Sequence, residues 1–339
     1  MYVLGLESSC DETSAAVLSM DEASGVRDIK SNIVASQIDI HAQYGGVVPE
    51  IASRAHIESV TQVTKKALDT AGITARDLGC VAVTSHPGLI GALLVGVNFG
   101  KSLAFANQIP LVGVDHIKAH VAAAYLTDPE LKPPFLALVV SGGHTSFYLV
   151  SDFTKFEEIG STRDDAIGEA FDKIARVMGM PYPGGAALDR IAYEGRPGAF
   201  TFPSPALAGD NLDFSFSGIK TAALNIINGY AQREEELPVA DIARGYLDAI
   251  VTAVIKKIRL ALNQTGANAF VMAGGVAANS HLREAVLKLC KNKKVSCHIP
   301  SPGLCGDNGA MVAAAGYYDF LTGARAGTDL NASASDDLG

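Results

Sequence analysis

Two stretches of this chain follow the same pattern in the same order. Residues 3–18 and residues 135–150 each read as strand, polar turn and strand. A one-faced helix, a short apolar strand, a glycine turn and another helix follow each pair. These elements are 56–71, 80–84 and Pro87-Gly88 in the first half, and 239–263, 269–273 and Gly274-Gly275 in the second. The repeat predicts a two-lobed α/β architecture with a cleft between the lobes.

A pair of histidines lies where an apolar strand runs into a helix. Asp115 is placed to cap the first turn, and His116 and His120 fall on one helical face because they are four residues apart. Two imidazoles on one face form a natural pair of metal ligands. The same spacing also fits two histidines with unrelated roles, one buried and hydrogen-bonded, the other solvated.

The first polar turn contains more acidic residues than a turn requires. Glu7, Asp11 and Glu12 lie within it, and a third carboxylate marks this tip as a candidate site. Near the end of the chain, Asp307 is placed to cap the helix Gly309 to Leu321. From Gly323 onward, small and polar residues predict a mobile tail.

Bulk properties exclude several classes of protein. The net charge of -9 argues against a chain that grips nucleic acid through a broad basic face, and the dense basic cluster is Lys288, Lys291, Lys293 and Lys294. The apolar run from Leu89 to Phe105 contains Asn98 and Lys101, which favours a buried helix over a membrane span. The start has no basic region of a secretory signal, and the five cysteines form no Cys-x-x-Cys pair, so we expect a cytoplasmic protein with reduced thiols.

Several ordered motifs resemble one family. They are Glu7-Ser-Ser-Cys-Asp-Glu-Thr13, the run from His41 to His56, His116-Ile-Lys-Ala-His120, Val140-Ser-Gly-Gly-His-Thr145, Asp164 to Lys173, Tyr182-Pro-Gly-Gly185, Phe214 to Thr221, Gly274-Gly-Val-Ala-Ala-Asn279 and Cys305-Gly-Asp-Asn308. In this order they resemble the tRNA N6-adenosine threonylcarbamoyltransferase family of bacterial type, from residue 2 to about 321.

The two-lobed pattern also resembles the actin-like ATPase superfamily, whose ribonuclease H-like fold binds nucleotide between its lobes. We therefore expect an N-terminal lobe at 1–132 and a C-terminal lobe at 133–305, with helix 306–322 packing back on the first lobe. Residues 323–339 are expected to form a flexible tail.

The family resemblance implies a reaction and a set of site residues. The reaction transfers the threonylcarbamoyl group from threonylcarbamoyl-AMP to N6 of the adenosine beside the anticodon, in tRNAs that read A-starting codons, and releases AMP. The resemblance assigns one divalent metal, iron(II) in preference to zinc, to His116, His120 and Asp307. It assigns the adenylate to Val139, Val140, Ser141, Gly142, Gly143, Asp172, Gly185, Asp189 and Asn279. Asp11 and Glu12 are the candidates for handling the proton of the amine.

The same resemblance implies partners. Besides tRNA and threonylcarbamoyl-AMP, it implies a smaller TsaB-like paralogue of the same fold and a TsaE-like ATPase, with no membrane. Because the chain is acidic, we expect weak, salt-sensitive binding of tRNA by this chain alone.

Three other functions fit parts of the sequence. A metal-dependent (glyco)peptidase would use the paired histidines, but the hydrolytic motif places glutamate after the first histidine, and Ile117 stands here. A sugar or acid kinase of the same fold is a further alternative, and only an activity assay would distinguish it from the transferase. A non-catalytic scaffold paralogue would be expected to lose the histidine pair or Asp307, and this chain keeps all three.

Overall fold

The computed structural model describes residues 1–203 and 210–335, and the chain divides into two compact units. The first unit comprises residues 1–133, 152–155 and 300–339, and the second comprises residues 134–151 and 156–299. The last helix of the chain therefore belongs to the same unit as its first strands.

The first unit is built on a mixed sheet with strand order β3-β2-β1-β4-β5. β1 is antiparallel to β2 and parallel to β4, β2 is antiparallel to β3, and β4 is parallel to β5. The strands are β1 (Tyr2–Glu7), β2 (Glu12–Asp21), β3 (Val26–Ser36), β4 (Leu78–His86) and β5 (Leu111–Asp115). β1 is buried from Val3 to Glu7, as expected for a central strand with helices on both faces.

Two successive residues of β1 show how tightly those helices pack. A Cβ on Gly5 would lie 2.1 Å from the carbonyl oxygen of Gly309, so the last helix rests directly on the backbone of the strand. Leu6 faces the opposite way and contacts the position of Gly100. The helices of this unit are α1 (Ile38–Ala42), α2 (Pro49–Ala71), α3 (Ile90–Asn107), α4 (His116–Thr127), α10 (Pro302–Cys305) and α11 (Gly309–Leu321).

The apolar run near residue 90 forms α3. Among the described residues it is the one helix long and apolar enough to pass a length-and-composition test for a membrane span, and 33% of its residues are buried. The buried positions, among them Leu93, Val97 and Ala104, belong to the face that packs on the sheet and on α2. The prediction of a buried helix is therefore confirmed for one face of α3. The opposite face carries exposed apolar side chains.

The second unit repeats the topology of the first. Its sheet has the order β10-β9-β6-β7-β8, with β6 antiparallel to β7 and parallel to β9. The strands are β6 (Phe135–Val140), β7 (Thr145–Asp152), β8 (Lys155–Ser161), β9 (Ala269–Ala273) and β10 (Ser296–His298). The helices are α5 (Ile167–Val177), α6 (Gly184–Ala192), α7 (Ser217–Gln232), α8 (Val239–Thr265) and α9 (Ser280–Lys293).

Both sheets thus place the first strand of the unit at the centre, flanked by its antiparallel hairpin on one side and two parallel strands on the other. This confirms the predicted mixed α/β fold and gives the sequence repeat a structural meaning.

The C-terminal segment differs from the mobile tail that its composition predicts. Ala326 forms an antiparallel bridge with Leu111, and the backbone N–H of Ser333 donates to the carbonyl of Ser85. Leu330 is partly buried against the core of the first unit, and Lys101 donates to its carbonyl. Composition missed this because a few apolar residues and edge hydrogen bonds suffice to fix such a segment. The last part of the predicted tail, 336–339, lies outside the described residues.

Candidate metal centre and nucleotide-binding residues

The histidine pair is positioned by a capped helix start, as predicted. Asp115 ends β5 and accepts hydrogen bonds from the backbone N–H groups of Ile117 at 2.7 Å and Lys118 at 3.1 Å. This cap fixes the first turn of α4, so His116 and His120 lie on one face. Their ring centroids are 4.6 Å apart.

Asp307 completes a group of potential metal ligands. Its Oδ1 lies 3.6 Å from Nε2 of His116 and 3.3 Å from Nε2 of His120. Within the described chain, this is the one cluster of three or more His, Cys, Asp or Glu side chains whose ligand atoms all lie within 4.8 Å of one another. All three residues belong to the first unit.

The side chain of His120 supports a metal-binding role. It is 1% exposed, and among the described residues neither of its ring nitrogens is in hydrogen-bonding geometry with a partner. Burying an unsatisfied polar group costs about 1–3 kcal/mol, so such a group in a folded protein calls for an explanation. Coordination of a cation by Nε2 would remove most of this cost, and two imidazoles with a carboxylate are a donor set that divalent iron and zinc both accept.

The helix cap at the end of the chain differs from the prediction. Asn308, not Asp307, caps α11, because its Oδ1 accepts the backbone N–H of Met311 at 3.1 Å. Asp307 instead directs its carboxylate toward the histidines. The neighbouring asparagine therefore takes the capping role that the sequence suggested for the aspartate.

The carboxylates of this group favour positive charge at His116, either a proton or a cation that displaces it. Burial lowers the pKa of His116, but the carboxylates of Asp307 and Glu7 outweigh it and raise that pKa to about 9. Burial raises the pKa of Glu7, and the adjacent His116 outweighs burial, so the pKa of Glu7 falls below its ordinary value. The site thus concentrates negative charge around two imidazoles.

Asp11 and Glu12 lie at the tip between β1 and β2. Asp11 is 6% exposed, and Glu12 is partly buried. Burial, and then the carboxylates of Asp307 and Asp11, raise the pKa of Glu12 far above its ordinary value, and a hydrogen bond that protonated Glu12 donates to Asp11 contributes. The neighbouring carboxylates therefore favour the protonated form of Glu12.

The tip itself is held by His56. Nδ1 of this imidazole lies 2.7 Å from Oγ1 of Thr13, and its Nε2 lies 2.9 Å from the carbonyl oxygen of Cys10. Because a carbonyl only accepts, Nε2 carries the hydrogen and Nδ1 accepts from the threonine hydroxyl. His56 thus contacts the residues on both sides of Asp11 and Glu12, through the carbonyl of Cys10 and the hydroxyl of Thr13.

In the second unit, the turn between β6 and β7 contains Ser141, Gly142 and Gly143. A Cβ added to Gly142 or Gly143 would meet no atom within 4 Å, and neither glycine has a positive φ. The fold itself therefore does not require glycine at either position. Absence of side chains there leaves backbone N–H groups open to a phosphate.

Val139 and Val140 are fully buried in β6. Val139 pairs with Ser146 on one side and Ala273 on the other. Gly274 follows β9 with φ 95°, and a Cβ there would lie 2.3 Å from the carbonyl oxygen of Val140. A ligand could reach these two valines only through the main chain at the strand end.

Asp172 and Gly185 are in direct contact. The backbone N–H of Gly185, at the start of α6, donates to Asp172 Oδ1 at 3.0 Å. Asp172 on α5 therefore holds the first turn of α6, where the second glycine pair stands.

Asp189, on α6, and Asn279, the residue before α9, both contact the start of α9. Asp189 accepts from the backbone N–H of Ser280 at 3.0 Å, from the Ser280 hydroxyl at 2.5 Å and from His281 Nδ1 at 2.8 Å. Asn279 caps α9 by accepting from Leu282 N at 2.9 Å, whereas its Nδ2 is buried and lacks a hydrogen-bond partner among the described residues. The side-chain amide of Asn279 could therefore donate a hydrogen bond to a ligand oxygen.

The structure also places residues that the sequence did not single out. Glu7 appeared only as one acid among several, yet it is buried beside His116 together with Ser9 and Thr84. The available signal was a carboxylate that directly follows an apolar strand. Its burial depends on α4 and β4, which are distant in sequence.

Comparison with solved structures identifies the fold class of this chain. HypF from T. kodakarensis superposes with a TM-score of 0.64 at 14% identity, covering 95% of this chain and 48% of that chain. The activator of 2-hydroxyisocaproyl-CoA dehydratase from Clostridium difficile, solved with bound ADPNP, gives a TM-score of 0.52 at 15% identity and covers 95% and 97% of the two chains. The fold and the site define a protein of the actin-like ATPase fold class that carries a His-His-Asp cluster.

Sequence comparison gives the family. The model of the family described as tRNA N6-adenosine threonylcarbamoyltransferase matches residues 28–314. A protein of that name from Clostridium novyi is 48% identical over 331 residues, covering 97% of this chain and 96% of the relative. One from Clostridioides difficile is 46% identical, with 98% and 97% covered. The chain belongs to the tRNA N6-adenosine threonylcarbamoyltransferase family.

Proposed function

We propose that this chain transfers the threonylcarbamoyl group from threonylcarbamoyl-AMP to N6 of the adenosine beside the anticodon, in tRNAs that read A-starting codons. The amine nitrogen forms a bond to the carbamoyl carbon, the bond from that carbon to the phosphate oxygen breaks, and AMP leaves with the electron pair. The observation that carries the proposal is the cluster of His116, His120 and Asp307 in a member of this family.

We propose that these three side chains hold one divalent cation, iron(II) in preference to zinc. Two histidines and one carboxylate leave coordination positions open, which is typical of non-haem iron(II) sites and also of catalytic zinc. When bound, the cation would supply Lewis acidity to an oxygen of the substrate. Ile117, which stands where a zinc peptidase has its general base, supports transfer in preference to peptide hydrolysis.

The adenylate is proposed to bind at the strand ends of the second unit. Gly142 and Gly143 offer backbone donors that the fold leaves accessible, and Ser141 shapes the turn by accepting the N–H of His144 at 3.1 Å. Asn279 supplies an unsatisfied donor. Asp172, Gly185 and Asp189 hold the helix starts around these groups, and the main chain of Val139 and Val140 ends in the same turn.

We propose that Asp11 and Glu12 manage the proton that the amine loses. They share a hydrogen bond and lie within the electrostatic influence of Asp307. A proton held between two carboxylates can be exchanged with little movement, and a cation near Asp307 would lower the pKa of Glu12 by offsetting that negative charge. Asp11 and Glu12 therefore act as one unit.

Partners are proposed to compensate for the charge of the chain. The exposed Lys288, Lys291 and Lys294 at the end of α9 offer a small positive surface to tRNA, while the chain as a whole carries a net charge of -9.

The smaller paralogue and the ATPase are proposed as the other members of the assembly. Exposed apolar residues on α2 and α3, Ile57, Ile90 and Phe105, suit contact with the paralogue. We propose that the assembly works in the cytoplasm.

Reconstitution tests this function. The chain is incubated with unmodified tRNA, threonine, bicarbonate, ATP, the adenylate-forming enzyme and the two partner proteins, and the nucleosides are then analysed. We expect threonylcarbamoyladenosine only when this chain is present, and none with His116→Ala. Formation of the nucleoside without this chain, or with His116→Ala at the wild-type rate, would overturn the proposal.

A further inference from the structure

Glu7 is a buried carboxylate to which the proposed reaction assigns no role. It ends β1, the central strand of the first sheet, and is 1% exposed. Removing a carboxylate from water is costly unless donors surround it. A residue that serves only to fill space at this position would be apolar.

The donors around Glu7 come from three different elements. Its Oε1 accepts the backbone N–H of Ser9 at 2.6 Å, and its Oε2 accepts the hydroxyl of Thr84, at the end of β4, at 2.7 Å. The Nδ1 of His116, at the start of α4, lies 3.1 Å from the same Oε2. The carboxylate therefore connects the ends of two strands to the first residue of the histidine helix.

These contacts determine the hydrogen on His116. An ionised carboxylate only accepts hydrogen bonds, so the imidazole must supply the hydrogen between Nδ1 and Oε2. The hydroxyl of Ser9 lies 3.2 Å from Nδ1 and supports the same ring orientation. With its hydrogen on Nδ1, the ring can offer the lone pair of Nε2, the nitrogen that lies 3.6 Å from Asp307.

We propose that Glu7 is a positioning residue that orients His116 and fixes its Nδ1–H form for metal binding. The proposal rests on the metal site proposed above. Carboxylates that accept from a metal-bound histidine raise its affinity for the metal, and their loss costs about 10- to 100-fold. His120 lacks any such hydrogen bond among the described residues, so His116 is the anchored member of the pair.

Zinc titration in the absence of tRNA and adenylate tests the proposal. The dissociation constant for Zn²⁺ is measured with a competing chromophoric chelator for wild type, Glu7→Gln, Thr84→Val and the exposed control Glu58→Gln, and the melting temperature verifies the fold. We expect about 10- to 100-fold weaker binding for Glu7→Gln, because the amide disrupts either the bond to Ser9 or the bond to His116. Thr84→Val should weaken binding by a smaller factor, and Glu58→Gln should leave it unchanged.

A second measurement separates positioning from general destabilisation. In the His116→Ala background, Glu7→Gln should cause no further loss of affinity, because residues that act through one another are not additive. In ¹⁵N-histidine-labelled zinc-loaded protein, the Nδ1–H signal of His116 should be present in wild type and lost or shifted in Glu7→Gln.

The possible results distinguish the two proposals. Unchanged zinc affinity in a folded Glu7→Gln, alongside clear losses in His116→Ala and Asp307→Ala, would overturn the role of Glu7 and leave the metal site intact. Unchanged affinity in those two ligand variants as well would overturn the metal site itself. If Glu7→Gln fails to fold, Thr84→Val and its zinc affinity decide the question, with wild-type affinity counting against the proposal.

Discussion

Oδ1 of Asp307 lies 3.3 Å from Nε2 of His120, although the two residues are far apart in the sequence. The contact exists because α11 returns to the first sheet and begins beside α4. If the pair binds a cation, Asp307→Ala should lower the affinity for Zn²⁺ or Fe²⁺ by at least about 100-fold, since the substitution removes the anionic ligand. Metal content after dialysis, measured by mass spectrometry, tests this prediction.

The matched control is Asp69→Asn, an exposed aspartate on α2. This variant should retain the wild-type metal content. Retention of the metal by Asp307→Ala would contradict the proposed ligand set.

Gly142 and Gly274 provide a test that separates binding from folding. A methyl group on Gly142 meets no protein atom within 4 Å, so Gly142→Ala should fold with an unchanged melting temperature but bind adenylate about 10-fold more weakly. Gly274→Ala should behave in the opposite way, because its Cβ would lie 2.3 Å from the oxygen of Val140 at φ 95°, and the melting temperature should fall by several degrees. Calorimetry and titration with a non-hydrolysable adenylate analogue measure the two effects.

Part of the fold and of the candidate site could be predicted from the sequence. The repeat, the capped start of α4 and the bounds of α11 could be predicted because local patterning and caps determine them. The burial of Glu7 could not, because it depends on Ser9, Thr84 and His116 converging from separate elements. Asp307 was expected as a cap, since sequence alone does not decide which of two adjacent residues turns toward the helix.

Asp11 and Glu12 should affect turnover more than binding. Glu12→Gln keeps the shape of the side chain but removes its capacity to accept a proton, so kcat should fall by about 100-fold or more while KM for tRNA changes little. Metal content should stay at the wild-type level, which separates this effect from loss of the cation. A wild-type kcat in both Asp11→Asn and Glu12→Gln would remove the two carboxylates from the proposed mechanism.

The exposed apolar face of α3 should matter for assembly and not for folding. Phe105 is 75% exposed, so Phe105→Asp should change the free energy of unfolding by no more than about 0.5 kcal/mol. Binding to the smaller paralogue, measured by isothermal titration, should weaken by at least about 10-fold. Val26→Asp, at a position 40% exposed on β3, is the matched control and should bind as wild type. Equal affinity for the two variants would exclude this face as the contact.

Asp319 on α11 should make stability depend on pH in an unusual direction. Burial, only partly offset by Lys118, raises its pKa from 3.8 to about 6. Between these values the folded state binds more proton than the unfolded state, so the free energy of unfolding falls as the pH rises, and the loss is complete above the folded pKa. Asp319→Asn should therefore stabilise the protein by about 1–2 kcal/mol at pH 7.5, and the gain should shrink as the pH falls toward 4. Denaturant unfolding at several pH values measures this gain, with the exposed Asp329→Asn as control. A gain independent of pH would show that burial of the Asp319 charge is not its cause.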